Sequence, residues 1–451
     1  MSGRGCEKIY KPIKKGGLSM KVVNKRILVF GVVCMFVLLS SVFLFAGDKK
    51  AEKMVCTYAT LANDFFLTFD QGAREAVEAL GNEYMGMTDD RRPEKFISNI
   101  SSSCAAGVKM VFGYSTTIES VVEASRLVNR EKVWYSTVLE IADWWTPLDA
   151  GPYWGEFIFP DARAIGLQGG EVMAEALGGE GNTLLLLGFP GSKAGNDRGL
   201  GYRQTLKKYP KMKILDEQYG DFVRDKGYKL TADWIIKYGK KIDGIYCTNT
   251  SMAVGAAVAC KEAGLTKVIV IGTDANKENM KYLKDGSLHA ICGIYGPWLS
   301  GHAAVTVYDM RHGWKPSVPE TLMSTGFNLL TKDTAQWYID TFCQDKMPYD
   351  WRKMSQTLHP NDWDPQNLMV PIYPERFSNW EFVKKPKGYK VPKEYKEAMD
   401  AGEYDKIREL YRAHFKDTTA IPPSYGAPYD KIFCSNNIKP KTVVDAIGGK
   451  K

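Results

Sequence analysis

The chain has 451 residues, of which 44% are apolar and 25% charged, with a formal net charge of +8. That length holds two or three domains with cores of their own, and so ordinary a composition excludes disordered and collagen-like classes. The positive charge is mild and dispersed, partly in the terminal regions, which points to solubility and not to nucleic-acid binding.

The first distinctive segment runs from Ile27 to Ala46 without a charge, behind Lys21, Lys25 and Arg26. Roughly 20 apolar residues are enough to span a bilayer, and the basic flank keeps that end in the cytoplasm. Everything after residue 50 is therefore expected outside: in the periplasm, or on the outer face of the cytoplasmic membrane. Leu44-Phe45-Ala46 is an imperfect signal-peptidase site, so a cleaved leader and an anchor over residues 27–46 both stand. Seven cysteines follow residue 50. Cys56, Cys247 and Cys292 fall in apolar strand patterns and read as reduced core thiols, while a disulfide between Cys343 and Cys434 is the other reading.

From Met54 the pattern alternates strand and helix. Met54–Ala59 reads as a buried strand, and Gln71–Leu80 as a helix stopped by Gly81. Lys109–Phe112 is the next strand, Thr117 caps the helix Ile118–Val128, and Val133–Ser136 is again strand-like. The rhythm resumes with helix Ala164–Leu177, strand Thr183–Leu187, helix Gly199–Tyr209, strand Gly244–Cys247, helix Ala253–Ala263 and strand Val268–Ile271. It closes with helix Lys277–Lys284, strand His289–Ile294 and helix Leu299–Met310. Strands separated by such helices form parallel sheets with right-handed crossovers. The fold class is thus α/β, with two doubly wound Rossmann-like lobes and a hinge, broken near Pro160-Asp161.

Beyond about Phe342 the rhythm stops, and Pro, Trp, Tyr and Lys dominate an irregular extension. One helix is expected there, Pro392–Phe415, with Tyr395, Met399, Ile407, Leu410 and Tyr411 on its apolar side. The expected division is 1–52 leader or anchor with linker, 53–160 with 295–322 first lobe, 161–294 with 323–341 second lobe, and 342–451 extension.

Four polar clusters sit where strands are expected to end: Asn63-Asp64-Phe65-Phe66, Asn196-Asp197-Arg198, Thr248-Asn249-Thr250 and Gly272-Thr273-Asp274. Ligands of doubly wound folds bind at the carboxyl ends of the strands. Amides, a guanidinium, a carboxylate and aromatic rings suit a polyhydroxylated molecule, whose hydroxyls take hydrogen bonds and whose C–H faces stack on rings. Arg198, a cation early in a helix, opposes the helix dipole and so asks for a local partner. Asn249 and Asp274 also read as helix N-caps, a role compatible with binding. Catalytic and metal constellations are missing: the five histidines have no ligand or triad spacing, Gly188–Lys193 lacks the Gly-Lys-[Ser/Thr] of a P-loop, and no Gly-x-Ser-x-Gly occurs. The expectation is a binding protein with no enzyme activity, no cofactor and no metal.

Residues 54 to about 341 resemble the ribose-type periplasmic sugar-binding proteins, the class I solute receptors of ABC transporters. The resemblance lies in four ordered segments: NDFFLTFDQGAREAVEALG (63–81), GNDRGLGYRQTL (195–206), CTNTSMAVGAAVA (247–259) and VIVIGTDANKENMKYLKDGSLHAIC (268–292). It implies that Asn63, Phe65 and Phe66 line the cleft, that Arg198 grips hydroxyls, that Phe222 supplies a second aromatic, and that Asn249 and Asp274 complete the ligand site. The family's Asp-Arg pair at the end of the fourth strand is missing from Tyr135-Ser136-Thr137-Val138. The segment that follows, Leu139–Phe157, carries Glu140, Asp143, Trp144, Trp145, Asp149, Tyr153 and Trp154. Two readings stand: Trp144 and Trp145 form a stacking wall over the ligand with Glu140 or Asp143 as the replacement carboxylate, or the segment packs against the C-terminal extension.

The resemblance implies an extracytoplasmic receptor of an ABC importer that binds a monosaccharide, docks on the membrane permease, works as a monomer and touches no nucleic acid. The alternative is a sensor presenting a sugar to a chemoreceptor or membrane kinase.

Overall fold

The computed structural model describes residues 51–62, 64–115, 117–142, 144–372 and 387–421. The expected membrane segment at residues 27–46 lies outside them, as do Asn63, Asp143 and Cys434. No helix among the described residues is long and apolar enough to cross a membrane.

Two sheets organise the chain from Glu52 onward. The first has seven strands: β1 (Lys53–Tyr58), β2 (Glu83–Thr88), β3 (Met110–Tyr114), β4 (Trp134–Val138), β5 (Trp154–Pro160), β11 (Leu322–Thr325) and β13 (Met369–Pro371), in the order β13-β11-β5-β4-β3-β1-β2. The second has six: β6 (Glu180–Leu187), β7 (Lys211–Tyr219), β8 (Gly244–Cys247), β9 (Ile269–Thr273), β10 (Ala290–Gly293) and β12 (Asn328–Leu330), in the order β12-β10-β9-β8-β6-β7. All pairs are parallel except β11/β13 and β10/β12. The central strands are buried over nearly their whole length because helices cover both faces, whereas the edge strands β2 and β7 are partly exposed. Strand order reverses between β1 and β3 in one sheet and between β6 and β8 in the other, and a crevice opens at such a switch point.

The expected lobe limits shift in two places. The expected division puts residues 323–325 in the second lobe, but β11 pairs with β5 in the first sheet, so that crossing lies between Thr325 and Asn328. Four buried residues, Leu-Met-Ser-Thr, give no hint of which sheet they join. The expected separate extension is also part of the first lobe. Its β13 adds an antiparallel strand to β11, and Trp351 lies so close on the Gly296–Arg311 helix that a Cβ on Gly301 would fall 2.1 Å from its ring. On the same helix Asp309 accepts from Ser355 Oγ (2.5 Å), Gln356 N (2.8 Å), Thr357 N (3.2 Å) and Thr357 Oγ1 (2.5 Å).

The expected helix Pro392–Phe415 is two, Lys393–Asp400 and Glu403–His414, separated by Gly402 at φ 71°. Tyr395 and Tyr411 are buried as expected of the apolar side, whereas Leu410 is exposed. Cys56, Cys247 and Cys292 are free and buried, and Cys343 is also free.

Candidate functional site

Close helix crossings place the site. A Cβ on Gly166 would fall 2.0 Å from the Arg198 carbonyl oxygen, and one on Gly201 2.1 Å from that of Arg163. These two glycines let the helices Ala162–Ala176 and Lys193–Leu206 touch backbone to backbone, which fixes the height of Arg198 over the sheet. The helix begins at Lys193, capped by Ser192 Oγ on Gly195 N (3.2 Å), so Arg198 stands in its second turn and not at a strand end.

Arg198 is buried and points across its lobe to the end of β9. Its Nη1 and Nη2 donate to the two carboxylate oxygens of Asp274 (3.2 and 3.0 Å), and Nη1 also donates to the Thr248 carbonyl (2.7 Å). Asp274 sits in the left-handed region at φ 72°, its carbonyl held by Thr250 Oγ1 (2.5 Å). Burial raises the Asp274 carboxyl above its ordinary range, and the Arg198 guanidinium pulls it back down. This bidentate pair supplies the partner that a cation early in a helix required.

Asn249 is the N-cap of the helix Thr250–Glu262, accepting from Met252 N (3.0 Å), while its Nδ2 donates to the Phe222 carbonyl (3.0 Å). Both ends of the amide thus hold backbone. Phe222 is left-handed at φ 61°, and a Cβ on Gly188 would fall 2.1 Å from its ring, so only glycine there admits the aromatic. Phe65 and Phe66 open the helix Asp64–Ala79 and meet edge to face at 5.2 Å. Phe66 also packs on Tyr114 (5.2 Å) at the end of β3.

These residues share one cleft, open to solvent and with an internal volume of about 70 Å³, walled by Phe65, Phe66, Tyr114, Arg91 and Glu140 from the first lobe and by Arg198, Phe222, Asn249 and Asp274 from the second. Glu140 is buried, and burial pushes its carboxyl up to about 8 against the opposing hydrogen bond and charge of Lys193. It takes the cleft position of a carboxylate after β4.

The tryptophans do not form the expected wall. Trp145 turns away, donating Nε1 to Ser125 Oγ (2.9 Å) with the Arg126 guanidinium 4.6 Å from its ring, and Trp144 meets it edge-on at 6.3 Å. Trp154 is fully buried in β5, donating to Thr137 Oγ1 (3.1 Å). Tyr389 of the extension donates to Asp149 (3.0 Å), so the segment packs between the Ile118–Glu131 helix and the extension. A large ring next to a core helix buries more apolar area there than over a wet cleft.

Sequence reasoning passed over Arg91, Asn276 and Asn279, which also line the cleft. Asn276 follows Asp274 by two residues and caps Asn279 N (2.9 Å), a proximity the Gly-Thr-Asp cluster signalled. Arg91 lies on an irregular turn at φ 58°, which carries no periodic signal. Among the described residues no group of three or more His, Cys, Asp or Glu side chains could hold a metal ion.

Residues 156–313 match the family of the periplasmic binding protein domain. The ribose import binding protein of Haemophilus influenzae is 30% identical over 267 residues, covering 58% of this chain and 87% of that protein. The xylitol-binding protein of Mycolicibacterium smegmatis is 38% identical over 127 residues, 28% of this chain and 36% of that one. A periplasmic solute-binding protein of an ABC transporter from Actinobacillus succinogenes, solved with bound D-allose, superposes with a TM-score of 0.58 at 19% identity, covering 63% of this chain and 99% of that chain.

Proposed function

The chain belongs to the ribose-type periplasmic sugar-binding proteins of ABC transporters, and from that premise we propose that it is the solute receptor of an importer, closing its two lobes on one monosaccharide or polyol. Membership in that family implies an exported protein whose relatives bind solutes and are not enzymes. The observation that carries the proposal is the cleft itself: the rings of Phe65, Phe66 and Tyr114 from one lobe oppose a preformed Arg198–Asp274 pair from the other. The rings suit the C–H face of a sugar, and the fixed guanidinium and carboxylate offer donors and acceptors to its hydroxyls without reorganising. Phe222 and Phe189 are second-lobe rings. Asn249 acts chiefly by holding Phe222 and the helix start, so its part in recognition is to shape the wall.

Relatives in the family are named for ribose, xylitol, allose and galactofuranose. In this chain the segment after β4 brings Glu140 into the cleft while its tryptophans stay outside, so selectivity rests on Glu140, Arg91 and the rings. The closed form, a monomer, would then dock on the permease. A thermal-shift and calorimetric screen of pentoses, hexoses, furanoses, xylitol and myo-inositol tests the reading. A neutral sugar or polyol raising Tm and binding one to one is expected. If none binds while an amino acid or a nucleoside does, the sugar assignment fails.

A further inference from the structure

One carboxyl of the cleft makes its contacts across the lobes. Glu140 follows β4 in the first lobe, yet Oε1 accepts from Ser192 Oγ (3.4 Å) and Oε2 from the backbone N–H of Lys193 (3.2 Å), both in the second. These donors form the start of the Lys193–Leu206 helix. The Glu140 residue is 2% exposed, so hinge opening would break both contacts and return the carboxyl to water. Closing strips it of that water in exchange for these two hydrogen bonds, at the long end of the range, and the Ala194 N–H.

Burial and not charge disfavours the anion here: the Lys193 ammonium pulls the carboxyl down, and the Asp197 carboxylate opposes it more weakly. Lys193 Nζ, the near cation, also serves Asp197 at 2.9 Å, with both side chains buried. Asp197 and Lys193 from that helix bear on Glu140 directly. Asp161 and Arg163 at the start of the Ala162–Ala176 helix share the same field. Tyr114 at the end of β3 feels Glu140 together with Asp89 and Arg91 from the turn after β2. Lys193 thus divides its charge between Glu140 and Asp197, and the loss of water at Glu140 outweighs what it supplies.

We propose that Glu140 is a closure latch engaged in its protonated form, so that shutting the lobes takes up one proton from solvent and alkali weakens the grip on solute. This rests on the reading of the cleft as a hinged solute site. In the closed lobes burial pushes the carboxyl up to about 8, whereas a carboxyl facing water in an open cleft titrates near ~4.3. The closed form therefore holds the proton more tightly. Between those two values the closed-to-open ratio falls as pH rises, by up to about tenfold per unit, and it is level outside them. A carboxylate held as an anion by the helix N-terminus would give the opposite slope, since its pKa would drop on closing.

Arg91 supplies an internal control. It too crosses the lobes, donating Nη1 to the Asp221 carbonyl (3.2 Å) with its guanidinium 5.8 Å from the Phe189 ring.

The test places a donor and an acceptor fluorophore on the two lobes of the full chain and reads their distance without solute from pH 5.5 to 8.5. The closed fraction is expected to fall across that range, with at least about a tenfold change in the closed-to-open ratio. Glu140→Gln, which keeps the shape, and Glu140→Ala, which removes it, should both flatten the profile. Arg91→Ala should lower the closed fraction at every pH and keep the slope. A flat or rising wild-type profile, or a slope that survives Glu140→Gln, overturns the latch. The expected slope in a chain that binds no sugar supports the latch and refutes the solute reading alone.

Discussion

The Arg198–Asp274 pair allows the sharpest test of how the second lobe is built. Replacing Asp274 by Ala leaves the Arg198 guanidinium, whose side chain is 4% exposed, with the Thr248 carbonyl as acceptor. Removing one partner of a buried ion pair costs about 3–5 kcal/mol. The Asp274 side chain keeps 19% exposure, so water can partly reach the stranded cation, and the loss should fall near the lower end, about 3 kcal/mol. For a lobe of this size that is a fall in Tm of roughly 6–12 °C. Asp274→Asn keeps the shape and one acceptor and should lose roughly half as much. In the double variant Arg198→Met with Asp274→Leu the charges leave together, so the loss should be well below the sum of the single losses. Urea unfolding followed by circular dichroism measures all four proteins. A loss below about 1 kcal/mol for Asp274→Ala, or strict additivity in the double variant, refutes the claim that the pair is a preformed part of the site.

Trp351→Ala should destabilise the first lobe by about 3–5 kcal/mol in the same assay, because the ring is buried against Gly301. Gly301→Ala should also destabilise, since the new methyl meets that ring, and the Trp351→Ala background should relieve it. A chain ending after Phe342 loses β13 and the four donors on Asp309 and should aggregate or unfold; a folded, monodisperse product in size-exclusion chromatography contradicts this. Trp144→Ala and Trp145→Ala should leave affinity for any sugar found in the screen within about twofold, an energy change of about 0.4 kcal/mol. A larger loss by calorimetry would return those rings to the cleft.

The sequence made the periodic parts of this molecule legible. Thr117 caps its helix where expected, and β8 runs from Gly244 to Cys247 as read, because each has a local signal in a cap or an apolar run. The strands β2 and β7 escaped notice. Both are edge strands beside β1 and β6, with exposed residues mixed in, so neither shows an unbroken apolar run. Trp144 and Trp145 were ambiguous for a different reason: a ring's composition does not say which side of a loop it turns to. That was decided by Ser125 and Arg126 on a helix whose own pattern marks a core face and an outer face, with nothing to single out an indole partner.

The site follows from the same distinction. Phe65, Phe66, Arg198, Asn249 and Asp274 all line the cleft, and each was legible because it lies near a helix start or, for Asp274, directly after a strand, next to the crevice where strand order reverses. Two other residues of the cleft are less local. Arg91 and Glu140 reach the cleft from irregular turns, and each bonds to the opposite lobe, so their geometry exists only when the lobes meet. A residue whose partner sits beyond a hinge leaves no periodic trace in its own neighbourhood. The framework of the lobes is therefore written in helices and strands, whereas the contacts between the lobes made by Arg91 and Glu140 are written in the turns between them.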